Sequence, residues 1–173
     1  MLQLPFQAIF VNLHAPPLGK AYLGGVIKEA VMITRVLVGV DFSDASRQAL
    51  DRAAGWAGQC GVPLVAMHVL QPPAPMLPEA QLALPDPTWL HGMEGHAREQ
   101  LEAWLSPYPG ATAVVKWGGP SEELVAEATP DTLLVVAQVG HSTLERLLFG
   151  STAARVVRLA PCDVLVVRTE HQA

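Results

Sequence analysis

Two glycines, Gly140 and Gly150, bracket the segment Gly-His-Ser-Thr-Leu-Glu-Arg-Leu-Leu-Phe-Gly, and two hydroxyl side chains, Ser151 and Thr152, follow the second. Glycine leaves the backbone bare, so its N–H groups can approach a ligand closely or the chain can turn through positive φ. Before the segment, Thr132-Leu-Leu-Val-Val-Ala-Gln-Val139 is short, apolar and rich in β-branched residues, as a buried strand reads. After it, Ser151-Thr-Ala-Ala-Arg-Val-Val-Arg-Leu-Ala160 has helical periodicity and stops at Pro161. A glycine-bearing loop that leaves a strand and enters a helix gathers unpaired amides at the positive end of a helix dipole. The chemistry such an arrangement serves is the holding of a phosphate chain. A second candidate group is Asp41, the carboxylate that closes the apolar run Arg35-Val-Leu-Val-Gly-Val-Asp41.

The elements that must position these groups alternate along the chain. The Arg35 run reads as a buried parallel strand. Ser43 caps a helix from Asp44 to about Gln59, in which Ala45, Ala49, Ala53 and Ala57 make a small-residue stripe suited to close packing on a sheet. Leu64-Val-Ala-Met-His-Val-Leu70 is a second strand, and the proline-rich stretch over residues 72–87 is a long surface loop. A helix from Thr88 to about Leu105 precedes a third strand, Thr112-Ala-Val-Val-Lys-Trp117. Pro120 opens a further helix with Glu122 and Glu123 in its first turn, and the Thr132 strand follows. Cys162-Asp-Val-Leu-Val-Val-Arg168 is the fifth strand, expected at an uncovered sheet edge. This alternation predicts a single α/β domain: a five-stranded parallel sheet with helices on both faces, doubly wound and of nucleotide-binding type. Ligands of such sheets sit at strand carboxyl ends where strand order reverses. If the Arg35 and Thr132 strands are neighbours, Asp41 and the glycine loop share that crevice.

Composition narrows the function classes. The chain has 173 residues, half of them hydrophobic, with 16% charged and a net charge of −5. Its three lysines and scattered arginines form no basic block, which argues against nucleic acid as a partner. No apolar run is long enough for a membrane span, and the charged start of a secretory signal is missing, so the expectation is a cytoplasmic protein. Cys60 and Cys162 stand alone and read as core thiols. Residues 1–31 read as an irregular N-terminal extension, with Met32 opening the domain proper over residues 32–173 and serving as an alternative start.

The ordered series Arg35-Val-Leu-Val-Gly-Val-Asp-Phe-Ser43, Met67-His-Val69, Gly118-Gly-Pro-Ser-Glu-Glu-Leu124 and Gly150-Ser-Thr followed by Ala160-Pro-Cys-Asp-Val-Leu-Val-Val-Arg168 resembles the universal stress protein family. ATP-binding members of that family carry Gly-x-x-Gly, nine residues, then Gly followed by Ser or Thr. Gly140 and Gly150-Ser151 match, whereas Ala137 stands where the first glycine falls. The resemblance implies a regulatory, stress-responsive homodimer that binds ATP, possessing little or no catalysis, with the two copies joined by antiparallel pairing of the Cys162-to-Arg168 strand. It implies that Asp41 lies near the ribose and a nucleotide-bound Mg²⁺, and that Val69 offers backbone groups to adenine. Gly140, Gly150, Ser151 and Thr152 would hold the phosphates, with His141 beside them in the loop. Ala137 keeps a second reading open, a nucleotide-free protein-interaction module of the same fold. No Walker lysine or nucleophile–His–acid set accompanies the glycines, so an enzyme of the wider adenine-nucleotide hydrolase group is disfavoured. His68 reads as a satisfied interior side chain, Trp89, Trp104 and Trp117 as packing residues, and His91 and His96 as too badly spaced to share a metal.

Overall fold

The computed structural model describes residues 8–11, 32–71, 87–138 and 150–168. Its strands are β1 (Ala8–Val11), β2 (Arg35–Gly39), β3 (Leu64–Leu70), β4 (Thr112–Trp117), β5 (Thr132–Ala137) and β6 (Asp163–Val167). The helices are α1 (Asp44–Cys60), α2 (Pro87–Leu105), α3 (Pro120–Glu127) and α4 (Ser151–Leu159). The strand order is β1-β6-β5-β2-β3-β4. β2 through β6 form the expected five-stranded parallel sheet, in which β2 lies between β3 and β5. From β2 the chain steps outward to β3 and β4, then returns to the other side for β5 and β6. The reversal falls between β2 and β5, at the place the sequence reading requires.

Each face of the sheet carries its own core because alternate side chains point to opposite sides. Val36, Val38, Val135 and Leu165 pack with Ala49, Leu50 and Ala53 of α1 and Leu101 of α2. Leu37, Leu134, Val136, Val164 and Val166 pack with Leu124 of α3 and Val156 of α4. The alanine stripe is buried at Ala49, Ala53 and Ala57, which lets α1 lie close to the strands. Ser43 caps α1 by accepting the Ser46 N–H, and Gly61 ends the helix with φ of 66°, a left-handed conformation that only glycine adopts cheaply. Cys162 is buried, and desolvation pushes its thiol up to about 11, so it stays neutral like any core group. Cys60, at the end of α1, is half-buried.

One segment of the N-terminal extension is regular. Ala8–Val11 pairs antiparallel with β6, setting Ala8 opposite Val167 and Val11 opposite Val164. The expectation of an uncovered edge at Cys162 to Arg168 is therefore corrected: β1 occupies that edge and the sheet has six strands. The periodicity of four apolar residues among prolines and glycines is too short a signal to be told from a loop.

Glu127, at the end of α3, accepts from Lys116 Nζ of β4 at 2.8 Å and from Arg35 Nη1 at 3.2 Å, while Arg35 Nε donates to Thr132 Oγ1 at 3.1 Å, joining the first residues of β2 and β5. The Lys116 hydrogen bond, with Arg35 beside it, holds the Glu127 carboxyl below its ordinary 4.5. A depressed folded-state value means that this stabilisation is fully present above about pH 4.5 and is lost as pH falls through the folded value. Urea unfolding from pH 6 to pH 3 should therefore show a smaller acid-side loss of stability in Glu127→Gln than in the unaltered protein. Identical slopes would remove Glu127 from the acid response.

Candidate functional site

The carboxyl ends of β2, β3 and β5 meet the amino ends of α1, α3 and α4 around a cleft of about 350 Å³. A volume of that size falls in the range of small-molecule and cofactor sites. Asp41 and Ser46 line it from the start of α1, Val69 from the end of β3, and Ala137 and Gln138 from the end of β5. Gly150, Ser151, Thr152 and Ala153 line it from the start of α4. The topology thus brings Asp41, Val69, Ala137, Gly150, Ser151 and Thr152 together, although more than a hundred residues separate the first from the last. Gly140 and His141 lie outside the described residues.

Asp41 both shapes its turn and faces the cleft. Its Oδ1 accepts from the Ser43 N–H at 3.1 Å and the Ser43 hydroxyl at 2.5 Å. Ser43 Oγ in turn accepts the Ser46 N–H at 3.1 Å, so the carboxylate orients the cap of α1. Between them Phe42 adopts φ of 62°, a left-handed conformation costly for a bulky side chain. Its ring is held by His68, with centroids 4.4 Å apart, and by an edge-on contact with Trp104 at 5.3 Å. His68 Nδ1 lies 2.8 Å from the Val40 carbonyl and donates to it, matching the reading of a satisfied side chain. Trp104 packs beneath the Arg47 guanidinium at 3.8 Å, whereas Trp89 is 45% exposed and is not a core residue.

The start of α4 has a specific division of labour. The Gly150 N–H donates to the Gln138 carbonyl at 2.8 Å, which joins the start of α4 to the end of β5. Gln138 N–H itself donates to Val167 O at 2.8 Å, anchoring that junction to β6. The Gly150 amide is thus engaged within the chain. Ser151, Thr152 and Ala153 are the first three residues of the helix, whose N–H groups have no intrahelical acceptor. Such amides, together with hydroxyls like those of Ser151 and Thr152, are the groups a helix start can offer an anion.

Among the described residues the cleft is lined by no lysine or arginine, and Asp41 is its single carboxylate. No group of three or more metal-ligating side chains occurs among them either. Asp41 by itself is thus not a metal centre; a divalent cation there would need phosphate oxygens to complete its shell. Glu122, in the first turn of α3, pairs with Arg155 of α4 and ties the two helix starts together. Several lining residues carry no signal in the sequence: Gln71, Gln138 and Ser46 reach the cleft only because their elements converge there. Pro120 had a signal, as the opener of a helix at a strand end.

A cleft at the switch point of a doubly wound sheet, closed by a helix start and a strand-end carboxylate, defines a nucleotide-binding type of α/β domain. The universal stress protein family model matches residues 32–168, and the chain belongs to that family. A universal stress protein of Mycobacterium tuberculosis is 33% identical over 141 residues, covering 78% of this chain and 95% of the relative. One of Mycolicibacterium smegmatis is 35% identical over 138 residues, 77% of this chain, which spans only 45% of that longer relative. Among solved structures, the universal stress protein UspA from Lactobacillus plantarum superposes with a TM-score of 0.60 at 27% identity, over 79% of this chain and 98% of the other. A universal stress protein solved in complex with cAMP gives a TM-score of 0.52 at 29% identity, over 79% and 98%. No helix among the described residues is long and apolar enough to cross a membrane.

Proposed function

We propose that the protein is a cytoplasmic stress-response regulator that binds ATP in the cleft at the β2–β5 switch point. The observation that carries this reading is the convergence of the α4 amino end and Asp41 on one cleft of nucleotide size. The phosphates lie against the amides and hydroxyls of Ser151 and Thr152, with Gly150 giving them room and Gly140 and His141 completing the loop. Asp41 faces the ribose and the phosphate-bound Mg²⁺. Val69 presents its backbone to the adenine, and Ala137 flanks the sugar. The cAMP complex of a 29% identical relative supports an adenine nucleotide as the ligand class.

The same lining argues against efficient phosphoryl transfer. That reaction requires strong charge compensation at the β- and γ-phosphates, and the described lining offers a helix dipole with no lysine or arginine. The protein therefore acts by binding, with no nucleic-acid or membrane partner, and the outer side of β6, where β1 lies, is the surface through which two copies pair. A nucleotide-free interaction module is the second reading, favoured by the methyl group of Ala137 and by the engagement of the Gly150 amide with Gln138. Calorimetry decides between them. Titrating micromolar ATP with Mg²⁺ should give saturable heat, weakened when EDTA removes the metal, and mass spectrometry of the denatured protein should release adenine nucleotide. No heat and no released nucleotide would leave the interaction module standing.

A further inference from the structure

We propose that β1 is a displaceable plug: Ala8–Val11 and a second copy of this chain compete for the outer edge of β6. The proposal rests on the dimer reading above and adds its control element. β6 is a strongly associating strand, since Val164, Leu165, Val166 and Val167 are each 3% exposed or less and all apolar. On one side it is fixed in the parallel sheet by five paired positions with β5. On the other side its backbone groups are taken by only four antiparallel pairs from β1. β1 runs against the direction of every other strand, and its substantial contacts among the described elements are with β6 alone. Residues 12–31, which connect it to the rest of the chain, precede the region that matches the family model, which begins at residue 32. A short terminal strand attached in this way is the part of the sheet that opens most easily.

An open β6 edge is a row of unpaired N–H and C=O groups flanked by valines, a template for another strand. A second β6 fits it: two copies paired antiparallel about Leu165 oppose all five residues, Asp163 to Val167, and close with two-fold symmetry. That pairing is longer than the four positions β1 supplies. β1 has the advantage of its tether, which gives an effective concentration on the order of millimolar. In the intact chain β1 therefore holds the edge at micromolar protein, and self-association follows its release.

Sedimentation velocity at micromolar to hundred-micromolar protein tests this. The primary variant is the full chain carrying Ile9→Pro and Phe10→Pro. Successive strand N–H groups point to opposite sides, so the pair removes one donor facing β6 whichever residue supplies it. A chain starting at Met32 is the second variant; the family model spans residues 32–168, and a 33% identical relative is matched over 95% of its own length, so this segment corresponds to a whole domain. Both should dimerise with a dissociation constant at least tenfold below that of the intact chain. Adding Val166→Pro to the shortened chain should restore the monomer while circular dichroism remains native. Equal dissociation constants in intact and altered chains would overturn the competition and leave the dimer reading standing. A dimer of the intact chain that is lost on removing residues 1–31 would mean that β1 is exchanged between copies, again overturning it. Monomers throughout would sink the dimer reading and the plug together.

Discussion

Ser151→Asp should weaken ATP binding at least severalfold while leaving the protein at least as stable as before. Ser151 is exposed and is the first residue of α4, where a carboxylate complements the helix dipole by about 0.3–1 kcal/mol. Gly150, the cap residue, provides no side-chain cap bond, so an acid at this end replaces nothing. For a bound triphosphate the same carboxylate is a like charge at close range. At about 4 Å such a pair costs between about 1 kcal/mol with water-like screening and about 4 kcal/mol near a protein surface. That corresponds to a loss of affinity from roughly fivefold to several hundredfold. Opposite signs for stability and binding separate a ligand site from an ordinary helix start, which thermal melting alone cannot do. Ser151→Ala serves as the control, since it keeps the amide and removes only the hydroxyl. Nucleotide affinity unchanged in Ser151→Asp, measured by calorimetry, would move the phosphates away from α4.

Leu134→Ala should lower the unfolding free energy by about 2–5 kcal/mol. Leu134 lies in β5, fully buried, with Leu37 of β2 and Val164 of β6 as its register partners. It belongs to the core under α3 and α4, the two helices that border the cleft, and its removal leaves a cavity that the flanking strands cannot close. Domains of this size have about 5–15 kcal/mol in total, so the variant is expected to unfold at markedly lower urea. A decrease below about 1 kcal/mol would mean that this face of the sheet is not a packed core. The site depends on that core because α4 is only nine residues long and its capping residue makes no side-chain bond. Its amino end is aimed by the burial of Ala153 and Val156 against the sheet.

The local alternation of strand and helix was legible in the residues because each element is both periodic and punctuated. Arg35–Gly39 is an apolar run, α1 begins at Ser43 and ends at Gly61, and Pro120 opens α3. Such signals act within one turn or one strand, so they survive without knowledge of the rest of the chain. They also sufficed to place Asp41 at the end of the β2 run and Gly150-Ser151-Thr152 at the start of α4. The burial of Cys162 and the small-residue face of α1 follow from composition in the same way.

Tertiary structure alone decided which ends meet. The neighbouring of β2 and β5 is a long-range pairing, set by which apolar faces bury each other most completely, and no local pattern encodes it. The hydrogen bond from Gly150 to Gln138, which engages the Gly150 amide within the chain, joins residues twelve apart in sequence and is equally unreadable from either one. Phe42 is likewise held in a left-handed backbone by distant residues, His68 from β3 and Trp104 from α2. The sixth strand was invisible for the same reason. Four apolar residues have no preference strong enough to be read on their own, and Ala8–Val11 becomes a strand because β6 offers it backbone partners.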